Sequence, residues 1–186
     1  MKNIILLLVL IVTVISCKKS DLKSEFNCKS STIPYETKEL RDVLKKFRAT
    51  IPKNWNTQLY YDEYQSQLYS ADTTRSLSEA YIVDISWHQG ELVLDNSFDQ
   101  KVKDTLAFKE KLSNITSAIG KFKNKPCYWN LSKGLSGNHE YHLLQVYIKT
   151  EPDEYFTFTT KVIGDQNVDQ RLCESIAIYD QLEFIQ

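Results

Sequence analysis

Tyr81-Ile82-Val83-Asp84-Ile85-Ser86-Trp87-His88 is the stretch whose reading decides the fold. Tyr81, Val83, Ile85 and Trp87 alternate with Ile82, Asp84, Ser86 and His88, and a period of two marks a strand whose successive side chains point to opposite faces. Gln89-Gly90 turns the chain, and Glu91 to Asp95 is expected to return as a short strand. Upstream, Gln58 to Asp62 and Tyr64 to Ala71 read as two strands around an Asp62-Glu63 turn, followed by a polar loop from Asp72 to Ser76. Downstream, Asn96 or Ser97 can cap a helix over 97–113 by accepting a backbone N–H. Phe98, Val102, Leu106 and Leu112 give that helix an apolar face, and Lys101, Lys103, Asp104, Lys109, Glu110 and Lys111 read as its solvated side. Four further strands follow: Ile115 to Phe122, Pro126 to Leu131, Glu140 to Lys149 and Tyr155 to Ile163, with Asp153-Glu154 as the last hairpin. Asp165 or Asn167 caps a final helix on which Val168, Leu172, Ile176, Tyr179 and Leu182 step by four, four, three and three, so that it packs on the sheet.

N-terminal to these elements, Leu40, Val43, Leu44 and Phe47 fall at helical spacing, which predicts a short helix from Glu36 to Lys46. Phe47, Ala49 and Ile51 then alternate with Arg48 and Thr50 as a strand that Pro52 ends, because proline has no N–H for the ladder. Runs of neighbouring strands with few helices imply an α+β fold, an antiparallel β-sheet of about six to eight strands covered by helices, and not a parallel α/β one.

The pattern Phe47-x-x-x-Ile51-Pro52-x-x-Trp55, opening an aromatic antiparallel domain, resembles the PsbP-like fold. That fold is shared by the photosystem II extrinsic protein, a Ran-binding release factor, DcrB-like bacterial lipoproteins and secretion chaperones. The resemblance implies an α/β/α sandwich over residues 34–186 that acts by binding proteins. No functional residue of those families can be placed on this chain.

A second pattern concerns location. Lys2 is followed by an apolar run, Ile4 to Ile15, broken only by Thr13. A spanning helix needs about 20 apolar residues, so this shorter run reads as a signal peptide, residues 1–16. Val14-Ile15-Ser16-Cys17 resembles the lipobox of bacterial lipoproteins: Ser16 is the small residue before the cut, and Cys17 is the thiol that receives a diacylglycerol, with palmitate-type chains. Two or more acyl chains hold a protein firmly to a bilayer at about 0.8 kcal/mol per buried CH₂. In such lipoproteins Asp after the lipidated cysteine retains the protein at the inner membrane. Lys18 stands there instead, which implies an outer-membrane location in the cell envelope. Residues 17–33 are Lys- and Ser-rich and are expected to be a flexible tether.

Removal of residues 1–16 leaves 170, enough for one domain with a real core; with Lys2 gone the net charge moves from −1 to −2. Lys and Arg are dispersed, and without a basic stripe nucleic acid is not an expected partner. Beyond Cys17 stand Cys28, Cys127 and Cys173. Because Cys28 falls in the tether, Cys127 and Cys173 are the expected disulfide. No CxxC pair exists, and no cofactor is indicated.

His139-Glu140-Tyr141-His142 has a spacing that invites a metal reading. On a strand, residues three apart point to opposite sides, so no shared metal is expected. No nucleophile elbow, Walker loop or dinucleotide fingerprint is present. Tyr60, Tyr61, Tyr64, Tyr69 and Trp87 could form a recognition surface, but alternating aromatics first suggest sheet packing. The reading that results is a non-enzymatic envelope lipoprotein, anchored to the membrane through Cys17, that binds a protein partner. The alternatives are an envelope hydrolase built from carboxylates with His139 or His142, and a small-molecule carrier with an enclosed cavity.

Overall fold

The computed structural model describes residues 21–28 and 32–185. Among these, α1 is a single turn (Leu22–Glu25), followed by β1 (Thr37–Arg41), β2 (Phe47–Pro52), β3 (Asn56–Tyr61), β4 (Gln65–Ala71) and β5 (Tyr81–Gln89). Helix α2 (Asn96–Thr105) runs into a π-helical turn (Leu106–Glu110); β6 (Ser113–Phe122), β7 (Lys125–Ser136), β8 (His139–Glu151), β9 (Glu154–Ile163), α3 (Val168–Asp180) and β10 (Glu183–Phe184) complete the chain. The architecture is α+β, as expected: a seven-stranded antiparallel sheet in the order β3-β4-β5-β9-β8-β7-β6, and a three-stranded sheet in the order β1-β2-β10.

The two faces of the large sheet are covered differently. Tyr81, Val83, Ile85 and Trp87 of β5, Phe156, Phe158 and Val162 of β9, Leu144, Val146 and Ile148 of β8, and Trp129 of β7 are buried on the first face. Leu172, Ile176 and Tyr179 of α3 join the same core, which also takes Phe47, Ala49 and Ile51 from the small sheet. Tyr179 stacks on Phe158 with ring centroids 4.7 Å apart, and its hydroxyl lies 2.6 Å from Thr160 Oγ1. Phe47, Ile51 and Trp55, three of the four residues of the F-x-x-x-I-P-x-x-W pattern, are in this core. Burying a side chain of this size contributes about 1.5–3 kcal/mol.

Arg171 locks the upper end. Its guanidinium, buried to 1% exposure, donates to the carbonyls of Ala80 at 3.0 Å and Ile163 at 2.7 Å. It thereby ties the segment before β5 to the segment before α3.

Three local expectations are corrected. The segment 36–46 is a hairpin arm and not a helix. Thr37–Arg41 pairs with β2, and the buried Asp42 carboxylate accepts from the Phe47 N–H at 2.7 Å, while Lys45 takes the left-handed conformation (φ 63°). The helical spacing of Leu40, Val43 and Leu44 was overridden because β2 offered an open edge. Glu91 to Asp95 is not a strand. β5 is already paired on one side with β4 and on the other with β9, so it has no edge left for a returning strand. The helix over 97–113 is shorter as an α-helix, and its cap is Asp95, which accepts from the Phe98 N–H at 2.8 Å.

The disulfide is also different. Cys28 pairs with Cys173, and Cys127 is a buried free thiol in β7, so the expected Cys127–Cys173 bridge does not form. Cys127 points into the core between β6 and β8, where burial pushes its thiol up to about 12. The sequence placed Cys28 in a tether. Instead Leu22 is fully buried, Lys23 pairs with Asp180 at 2.6 Å, and residues 21–28 pack against α3.

Candidate functional site

The second face of the large sheet is covered over half its width. Phe98, Val102 and Leu106 of α2 and its π-turn pack on Tyr128, Leu143 and Tyr147, with Phe98 edge-on to Tyr128 at 5.4 Å and to Tyr147 at 5.0 Å. A polar contact fixes the same helix: Asp99 Oδ1 accepts from Ser117 Oγ and from the Tyr128 hydroxyl, both at 2.9 Å. Its other oxygen pairs with Lys103 at 2.7 Å. Burial pushes the Asp99 carboxyl up, but the hydrogen bonds from Lys103, Tyr128 and Ser117 together outweigh it and hold the group below the usual carboxylate range. All these partners belong to β6–β8 or to α2 itself. The helix therefore roofs that half and leaves β9, β5, β4 and β3 open.

Strand register places one polar row across the whole face: Gln58, Tyr69, Asp84, Thr159, Gln145, Asn130 and Ser117 are successive neighbours from β3 to β6. Where the row passes under the edge of α2 there is a groove of about 400 Å³. Its floor is Asp84, Thr159, Gln145 and Lys161; Phe98, Lys101 and Thr105 form the wall. Asp84 accepts from Gln67 Nε2 at 2.6 Å and Ser86 Oγ at 2.8 Å. Burial raises its carboxyl above the usual range, and those two bonds and the charge of Lys161 only partly offset the rise. Gln145 Oε1 is buried without a protein partner. Tyr141 at the upper end has its phenol pushed up to about 12 by burial, with smaller contributions from Glu110 and Tyr69. The groove thus combines an apolar wall with unspent hydrogen-bonding capacity on its floor, the chemistry of a recognition site.

The residues singled out in the sequence lie elsewhere. His139 is exposed and His142 half-buried, on β8; the odd spacing turns them to opposite faces. His88 lies 2.9 Å from Thr157 Oγ1 and stacks on Tyr155 at 4.8 Å. None of the three lines the groove. Of the five aromatics, Trp87 is core, whereas Tyr60, Tyr61 and Tyr64 are 50%, 64% and 58% exposed. Cys17 lies outside the described residues, and no described helix is long and apolar enough to cross a membrane. Asp84, Gln145, Thr159 and Lys161 had no motif to reveal them; the signal was the polar alternation of the Tyr81–His88 strand itself.

Layers, order and register define a PsbP-like fold. Cyanobacterial PsbP (CyanoP) from Synechocystis sp. PCC 6803 superposes with a TM-score of 0.62 at 9% identity, over 84% of this chain and 96% of that one. A Bacteroides thetaiotaomicron structure superposes at 0.52 with 13% identity, covering 80% of this chain and 48% of the other. A Pseudomonas aeruginosa protein of unknown function gives 0.50 at 14% identity, over 81% and 99%. No family model matches the sequence, and no curated protein sequence matches it. The likeness is one of fold.

Proposed function

We propose that this is an outer-membrane lipoprotein, acylated at Cys17, whose PsbP-like domain is a non-catalytic accessory module that binds a protein segment in the groove beside α2. The observation that carries the reading is the half-roofed second face: an apolar wall beside a polar floor whose Gln145 Oε1 is left unpaired. An extended segment lying along β9 would meet Lys161 and then Thr159, with Asp84 beside Thr159 on β5, while Phe98 and the stem of Lys101 would cover its other side. A hydrolase of the histidine–carboxylate type finds less support. The groove contains no histidine, and Asp84 is already engaged by Gln67 and Ser86.

A photocrosslinker in place of Thr159, activated in intact cells, tests this reading. A discrete protein adduct is expected, and Lys161→Glu should weaken it by about tenfold, the scale of one lost charge-assisted contact. An adduct indifferent to Lys161→Glu, or none, overturns the groove as the binding site. The volume also suits a small molecule, and native mass spectrometry of the purified protein would then show bound mass in place of a protein adduct.

A further inference from the structure

We infer that the domain does not swing on a leash but rests on the bilayer, with the end of the large sheet that carries its β6–β7, β8–β9 and β3–β4 hairpins seated on the lipid headgroups. The inference depends on acylation at Cys17 as proposed above.

Register puts these hairpins at one end. Phe122 pairs with Lys125, Glu151 with Glu154, and Tyr61 with Ser66, while Gln89 at the exit of β5 sits beside Glu154. The chain joins the body at that same end. Asp21 forms a parallel bridge with Lys121, Lys23 pairs with Asp180 at the end of α3, and Lys123 Nζ donates to the Leu182 carbonyl at 2.7 Å. Peeling this segment away to lengthen the connection would expose Leu22 and break the Lys23–Asp180 pair, and it could go no further than the Cys28–Cys173 bridge.

Lengths then decide the arrangement. Four Cα steps separate Cys17 from Asp21, so the connection spans at most about 14 Å. The body is far larger: seven strands make the sheet about 29 Å wide, and the thirteen residues of β8 make it about 43 Å tall. One leaflet's headgroup layer takes up about 5–8 Å of the connection. The remainder is too short for the body to turn over.

The surface at that end suits the contact. Tyr61 and Tyr64 flank the β3–β4 hairpin, both more than half exposed, at the edge of the sheet opposite β6. Tyrosine, with its apolar ring and polar tip, is favoured at membrane–water interfaces. The end carries Lys121, Lys123 and Lys125 but also Glu151, Asp153 and Glu183, so the contact is with the headgroup layer in general and not with anionic lipid alone. In this pose the centre of the groove, five residues up β5 from Gln89, stands about 17 Å above the headgroups, facing sideways and open to a partner.

The test uses the full acylated chain in vesicles of phosphatidylethanolamine and phosphatidylglycerol with radiolabelled headgroups. Benzoylphenylalanine replaces either Tyr61 or Lys121 at the seated end, or Phe108 or Leu135 at the far end; all four positions are exposed. Phospholipid adducts at the first pair should exceed those at the second by about fivefold, and a flexible insert of about 20 residues after Lys19 should reduce the bias. Equal yields at the four positions, or an excess at the far pair, overturn the inference. Flotation separates it from the reading on which it rests. A Cys17→Ser variant that floats as the parent does removes acylation, and the inference with it. One that no longer floats leaves acylation standing whatever the adducts show.

Discussion

Gly164 shows how a single backbone position can be dictated by a distant one. Its φ of +85° belongs to the left-handed region, and a Cβ there would stand 2.2 Å from the Ser78 carbonyl oxygen. Gly164→Ala is expected to lower stability by about 1–3 kcal/mol from the backbone alone, measured by urea unfolding. The clash with Ser78 adds to that loss, and a total no larger than the backbone cost would mean that the 76–80 loop yields easily. Asp84 makes a pH-dependent case. Burial raises its folded-state pKa above the unfolded value, so its ionised form opposes folding at neutral pH, and that opposition is relieved as pH falls through the raised pKa towards the unfolded value. Asp84→Asn, with the Gln67 amide turned to donate and accept correctly, should therefore unfold at higher urea than the parent at pH 7. The advantage should shrink towards pH 4. A variant whose advantage grows on acidification contradicts that sign. Asp84 was visible in the sequence only as a polar residue on a strand; its burial comes from β4 and β9 on either side.

At the scale of elements, α2 is the piece on which the site depends, because where it stops is where the groove begins. Apolar packing sets its height, and Asp99 fixes its position over β6 and β7. Asp99→Ala leaves the Tyr128 hydroxyl without its acceptor and is expected to cost about 1–3 kcal/mol. Amides of 96–110 should gain hydrogen exchange ahead of those in β8, and uniform exchange would mean that the apolar contacts alone hold the helix. The strands from Tyr81 and from Tyr155 were legible because a sheet with one apolar face writes a period of two into the chain. The segment 36–46 was misleading for a related reason: Leu40, Val43 and Leu44 satisfy helical spacing, but Asp42 closes a hairpin onto β2. A local pattern cannot register a neighbouring edge supplied by other residues.

At the scale of the molecule, one covalent link joins the start of the described chain to its final helix across 145 residues of sequence. Constraining the unfolded chain over such a loop is worth about 2–5 kcal/mol. Cys28→Ser, or reduction of the parent, should lower the urea midpoint accordingly, and the two treatments should agree. An unchanged midpoint would mean that Leu22 and Lys23 hold the segment unaided. The same link makes the N-terminal segment 21–28 and the body one unit.

The chain by itself determined the α+β class and the strand-rich order, because hydrophobic periodicity is a property of adjacent residues. Tertiary structure alone decided which cysteines meet, that α2 covers only half of the second face, and that Asp84, Thr159, Gln145 and Lys161 share one floor. Those facts depend on strand order and on residues brought together from far apart, and neither leaves a trace in local spacing.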